Sequence, residues 1–106
     1  FNVCEVHTGP YAHAFAERGG DMLDPSLSAE LERVAIAGAE ILGLGMRFNA
    51  GHALNYHNVF RIAGLPGVRE LHIGHAIVSR AVFVGMREAV REMKALMTGA
   101  ARGMRA

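Results

Sequence analysis

A chain of 106 residues, 51% of them hydrophobic, carries enough apolar material for one core and is too apolar for a disordered tail. Its formal net charge of +1, with acids and bases interspersed, offers no electrostatic grip on nucleic acid or an anionic membrane, so small molecules are the expected partners. The longest stretch free of Asp, Glu, Lys and Arg, residues 48–60, is short of the ~18 residues of a membrane span, and the single cysteine, Cys4, reads as a buried thiol of a reducing, cytoplasmic compartment. No signal-peptide pattern opens the chain, which starts at Phe1 as a fragment would.

Residues 2–7 form a short apolar-rich run ended by Thr8, Gly9 and Pro10, which predicts a buried strand and a turn. Residues 11–23 show no sustained period, and Gly19 and Gly20 make them pliable, so a long loop is expected there, as a lid or an insertion. Asp24 followed by Pro25 suits the start of a helix. Aspartate can accept from free first-turn amides, and proline has no amide to leave unpaired. Leu27, Leu31, Val34, Ile41 and Leu42 then share one helical face, and Gly43 and Gly45 provide left-handed exits. Residues 46–50 alternate and stop at Gly51, predicting a second strand. Asn55 is placed to cap a brief helix that turns Val59, Ile62 and Ala63 inward before Gly64, Pro66 and Gly67. Residues 70–73 read as a third strand, residues 75–84 as a short helix, Gly85 as a break, and residues 86–97 as a final amphipathic helix with Ala89, Val90, Met93, Leu96 and Met97 inward.

The order strand, helix, strand, helix, strand, two helices is that of parallel βαβ units. Three units cannot close a sheet into a ring of eight, whereas a complete (β/α)8 barrel takes about 250 residues. The expected fold is therefore α/β, with residues 1–106 as the carboxyl-terminal part of one (β/α)8 TIM-barrel domain, supplying about its last three units. An isolated piece with unpaired strand edges is expected to aggregate or stay loosely folded.

Barrel chemistry gathers at the carboxyl ends of the strands, which directs attention to Glu5 and His7, Gly51 and His52, and Gly74 and His75. Glu5 in an otherwise apolar strand needs a partner or a ligand to offset its burial. His52 can exchange protons near neutral pH, and a hydrogen-bonded structural histidine is the competing reading. Gly74 and His75 open a helix whose first amides favour an anion, and a turn that binds nothing is the alternative. His7, His13, His57 and His72 fit no mechanism and read as satisfied or solvent-facing. No His-Glu-x-x-His, cysteine pair, dinucleotide fingerprint, P-loop or nucleophile elbow occurs, so neither a metal nor a nucleotide cofactor is expected.

The string NAGHALNYHNV from Asn49, ELHIGHAIVSRAVFVGMREAVREMKALM from Glu70, and EVHTG from Glu5 together resemble the end of pyridoxine 5′-phosphate synthases. Ala53 stands where that family generally has glycine in an AGHG motif, and residues 10–23 match poorly. The resemblance implies a cytoplasmic vitamin B6 enzyme without a cofactor. It would condense 3-amino-2-oxopropyl phosphate with 1-deoxy-D-xylulose 5-phosphate, giving pyridoxine 5′-phosphate, inorganic phosphate and water. It implies His52 as proton donor, Glu5 as the group stabilising charge in the transition state, Ala53 as a ligand-contacting backbone position, and Gly74 and His75 as binders of the aminooxopropyl phosphate. It also implies a homo-oligomer, an octamer of barrels, and places a further catalytic histidine and glutamate on strands outside this chain, so that the piece alone is expected to be inactive. Two other readings stand beside it: a non-catalytic phosphate-binding or scaffold relic, and a different phosphosugar barrel enzyme such as an isomerase.

Overall fold

The computed structural model describes residues 3–105, with side chains as far as residue 101. Asn2, expected to open the first strand, lies outside the described residues. Three parallel strands, β1 (Val3–His7), β2 (Arg47–Gly51) and β3 (Val68–His72), form one sheet in that order. The fold is α/β, compatible with part of a (β/α)8 barrel. Among the described residues no helix is long and apolar enough to cross a membrane.

The register sets Glu5 opposite Asn49 and Asn49 opposite Glu70, with His7, Gly51 and His72 in the row beyond. Side chains alternate across a strand. Cys4, Val6, Phe48, Ala50 and Leu71 accordingly join the apolar core, while Glu5, His7, Asn49, Glu70 and His72 fall on the opposite face. The pairing steps from Phe48–Val68 to Asn49–Glu70 and passes over Arg69, and this bulge lets both Val68 and Leu71 pack toward the core. The first strand is thus not buried on both sides, as its apolar content predicted; its alternate residues are exposed.

A helix, α1 (Gly9–Glu17), replaces much of the loop expected over residues 11–23. Pro10 occupies its first turn, where a missing amide costs nothing, so the residue read as ending a strand also starts a helix. Tyr11 and Ala12 are buried, with Ala14 and Phe15 partly so, and the Tyr11 and Phe15 rings lie 6.0 Å apart. These are helical spacings, and only their brevity hid the period. The Tyr11 hydroxyl donates to the Asn58 carbonyl at 2.7 Å. Burial pushes it up to about 12, against a smaller opposing pull from Arg61, so it remains a neutral donor. Gly19 and Gly20, both at positive φ, complete the turn.

The next helix, α2 (Pro25–Gly43), begins as predicted: an Asp24 carboxylate oxygen accepts from the amides of Ser26 at 2.9 Å and Leu27 at 3.3 Å. Leu27, Val34 and Ile41 are buried and Leu31 is partly so, but Leu42 is 41% exposed and covers the Gly67 turn instead. Gly43 remains helical, and Gly45, at φ +79, makes the left-handed exit alone. Gly38, not singled out from the sequence, lets the helix lie close against the sheet. A Cβ there would sit 2.3 Å from the Phe48 ring.

In α3 (Val59–Ala63) the residues Val59, Ile62 and Ala63 are buried as expected. Asn55 closes the preceding turn, its side-chain oxygen accepting from the amides of His57 and Asn58. Gly85, at φ +88, separates α4 (His75–Val84) from α5 (Met86–Arg105). Ala89, Met93 and Ala100 are buried and Met97 partly so, whereas Val90 and Leu96, expected inward, are exposed. The helix packs along the narrower stripe Ala89, Met93, Met97 and Ala100, tied to α4 by a two-pronged Arg80–Glu92 ion pair and to the turn before α3 by the Tyr56 hydroxyl on the Ala89 carbonyl.

Candidate functional site

The carboxyl ends of the three strands meet around a cleft of about 720 Å³, lined by Glu5, His52, Ala53, Leu71, His72, Ile73 and Gly74. Four of the five residues singled out in the sequence, Glu5, His52, Ala53 and Gly74, therefore share one space. His75 does not line it; this exposed residue is the first of α4, directly after Gly74.

Glu5 is the hub. One oxygen, Oε1, lies 3.0 Å from Nδ1 of His72, and the other, Oε2, lies 3.5 Å from Nδ1 of His52. The second distance is that of an ion pair rather than a close hydrogen bond. The partner expected for this carboxylate is thus a pair of imidazoles, and the side chain keeps 32% of its exposure. Glu70 Oε1 stands 3.7 Å from His72 Nε2 and accepts from the Asn49 amide at 3.4 Å. Asn49 is buried, and its Oδ1 has no hydrogen-bond partner among the described residues.

Gly51 makes the cluster possible. A Cβ at that position would lie 2.7 Å from Glu5 Oε2 and 2.9 Å from the His72 Cβ, so any larger residue would drive the two groups apart. The space left by its missing side chain is taken up by Glu5 and His72.

The chain then turns with two successive residues at positive φ, His52 at +94 and Ala53 at +59. For residues with a Cβ this region is strained, by about 1–3 kcal/mol each, and persists only where surroundings impose it. They do so through three consecutive carbonyls. Gly51 O accepts from the Thr8 amide at 2.7 Å, and the buried Thr8 hydroxyl lies 2.7 Å from both Gly51 O and His52 O, sharing its one proton between them. The Asn58 side chain donates to Ala53 O at 3.1 Å. His52 is also steadied by His7, whose ring stacks on it with centroids 3.9 Å apart and planes 16° from parallel. His7 Nδ1 is itself occupied, accepting from the Gly9 amide at 3.0 Å.

Ala53 occupies a conformation that glycine adopts freely. Replacing it is expected to stabilise the full-length protein: removing about 1–2 kcal/mol of left-handed strain outweighs the ~0.4–1 kcal/mol that glycine costs through the unfolded chain. Denaturant unfolding of Ala53→Gly should show a net gain of about 0.5–1 kcal/mol. A loss would mean that the turn is not held left-handed.

Sequence reasoning left His72 out of the cluster, noted His7 at its strand end but gave it no role there, and missed Thr8 and Asn58 as supports. A signal for the first two was present, since Glu70 and His72, like Glu5 and His7, are two apart on short strands and must share a face. Nothing local announced Thr8, whose partners are more than forty residues away. His13 pairs with Glu17 on the α1 surface, and His57 is exposed.

What fold and site define is an α/β protein with carboxylate and imidazole groups assembled at the carboxyl rim of a parallel sheet, an arrangement suited to moving protons on a small bound molecule. The profile of the family described as "Pyridoxal phosphate biosynthesis protein PdxJ" matches residues 1–99. Pyridoxine 5′-phosphate synthase of Dechloromonas aromatica is 67% identical over 100 residues, covering 94% of this chain and 40% of that protein. The proteins of the same name from Azoarcus sp. and Gloeothece citriformis are 66% and 50% identical, covering 95% and 90% of this chain and 41% and 37% of their own lengths. The chain belongs to the PdxJ family, whose curated members here carry a vitamin B6 biosynthetic name. It spans about two fifths of the length of these relatives and matches their carboxyl-terminal portion.

Proposed function

We propose that the full-length protein of which this chain forms part is a pyridoxine 5′-phosphate synthase built as a complete (β/α)8 barrel. It condenses 3-amino-2-oxopropyl phosphate with 1-deoxy-D-xylulose 5-phosphate and releases pyridoxine 5′-phosphate, inorganic phosphate and water. The observation that carries this reading is the meeting of Glu5, His52 and Gly74 in one cleft at the strand ends. The names of the relatives support it independently.

In this reading His52 is the proton donor. Its Nδ1 faces Glu5, which leaves Nε2 as the ring nitrogen that gives its proton to substrate, and the Glu5 carboxylate compensates positive charge that develops on the condensing carbonyl carbon. Ala53 offers backbone at the cleft wall, and the Gly74–His75 start of α4 receives the phosphate of the aminooxopropyl substrate, where helix amides lack internal partners. The protein acts without a cofactor, in the cytoplasm, as a homo-octamer.

Incubating the full-length protein with each precursor separately and then together tests the reaction. Inorganic phosphate and pyridoxine 5′-phosphate are expected only when both are present. Turnover of one precursor alone would favour a different phosphosugar enzyme, and no turnover at all would favour a non-catalytic relic.

A further inference from the structure

His72 is absent from every role assigned so far, yet it makes the closest contact to Glu5. The two residues sit on the outer strands of the sheet, with β2 between them, and they meet above Gly51, the one position in that row without a side chain. Glu5 has three rotatable side-chain bonds and stands at a partly open rim, so nothing in its own strand fixes where its carboxylate points. His52 lies at ion-pair distance, 3.5 Å, too long to hold it. The 3.0 Å contact from His72 Nδ1 to Oε1 is the shorter of the two ion pairs, and with Oε1 turned to His72 the other oxygen, Oε2, is left toward His52. On its other side His72 presents Nε2 to Glu70 at 3.7 Å, beyond hydrogen-bond reach. The charged and titratable groups around this contact are Glu5 from β1, Glu70 on β3, and His52, which carries His7 stacked on its face.

We propose that His72 is a positioning residue of the reaction, holding the Glu5 carboxylate through its Nδ1–H so that the second oxygen faces His52. This rests on the functional reading given above. His72 acts through Glu5 and does not itself transfer a proton to substrate.

Asparagine and glutamine separate the two nitrogens of the ring, because the Asn amide falls near the place of Nδ1 and the Gln amide near that of Nε2. Both are polar replacements at an exposed strand position, so both variants should fold. In the full-length protein, His72→Asn should retain most of the wild-type kcat, while His72→Gln should lower kcat by about 10–100-fold with the KM of each phosphorylated substrate little changed, as expected when a reacting group is displaced while substrate binding stays intact. In a Glu5→Gln background the difference between Asn and Gln at position 72 should vanish. Equal rates for the two variants, or a difference that persists in Glu5→Gln, would overturn the proposal. Glu5→Gln measured alone keeps the two readings apart: a wild-type rate there removes Glu5 from the chemistry altogether, whereas a slow Glu5→Gln with equal position-72 variants removes only His72. Should the full-length protein turn over neither substrate, the same variants compared by thermal unfolding still decide whether the Glu5–His72 hydrogen bond forms. A stability difference between Asn and Gln at position 72 must disappear when Glu5 is Ala, which has no side-chain acceptor, and persistence would overturn it.

Discussion

His52→Gln in the full-length protein is expected to lower kcat by about 10²–10⁴-fold, the range forfeited when a positioned proton-transfer group is removed. Glutamine retains polarity and a comparable reach, but it carries no proton that can be given up and recovered near neutral pH. The backbone around it should survive the change, because the turn is held by hydrogen bonds to the carbonyls of Gly51, His52 and Ala53, none of which uses the imidazole. What disappears is the ring stacked on His7 with Nδ1 toward Glu5. Steady-state kinetics with both precursors read the effect directly. The KM values should move much less than kcat, since the side chain is 60% exposed at the cleft wall and, in the proposed reading, the aminooxopropyl phosphate is anchored at the start of α4 instead. An unchanged rate would exclude His52 as the proton donor.

Phe48→Ala should destabilise the full-length protein by about 3–5 kcal/mol, the usual cost of emptying an aromatic site in a packed core. Phe48 is 1% exposed and belongs to the cluster of Tyr11, Leu27, Val34 and Ile41 that fastens α1 and α2 to the sheet. It lies directly against Gly38, where the helix backbone approaches too closely for any side chain, so α2 cannot settle into the space without moving along its whole length. Phe48 lies on the core face of β2, four residues before His52, so activity measured well below the melting transition should stay near wild type provided that β2 stays paired on both sides. Urea unfolding monitored by circular dichroism gives the free energy. A change below about 1 kcal/mol would mean that this face of the sheet is not a close-packed interior.

Much of the architecture was legible because it depends on neighbours in sequence. Asp24 and Pro25 begin a helix wherever they stand, since the capping oxygen and the missing amide act within one turn. Gly45 and Gly85 end elements because they tolerate positive φ. The order of strands and helices, together with the motifs around Glu5, His52 and Gly74, pointed to a parallel sheet with chemistry at its carboxyl rim. Helix α1 was not legible because its buried surface is little more than Tyr11 and Ala12, too short a pattern to register as a period. Val90, Leu96 and Leu42 were placed inward because a helical stripe read from sequence is wider than the strip that touches a neighbour.

The sequence by itself determined the three strands, every helix but α1, the main apolar line of α2, α3 and α5, and which strand ends bear acid and base. Only the tertiary structure decided how those ends combine. Gly51 became a passage between Glu5 and His72, Thr8 became the clamp on a turn forty-odd residues later, and His7 became the plate beneath His52. Each of these depends on strand register, and register is set by how Phe48, Ala50 and Leu71 pack beneath the sheet. A side chain's own neighbours carry no record of which residue will stand beside it on the next strand.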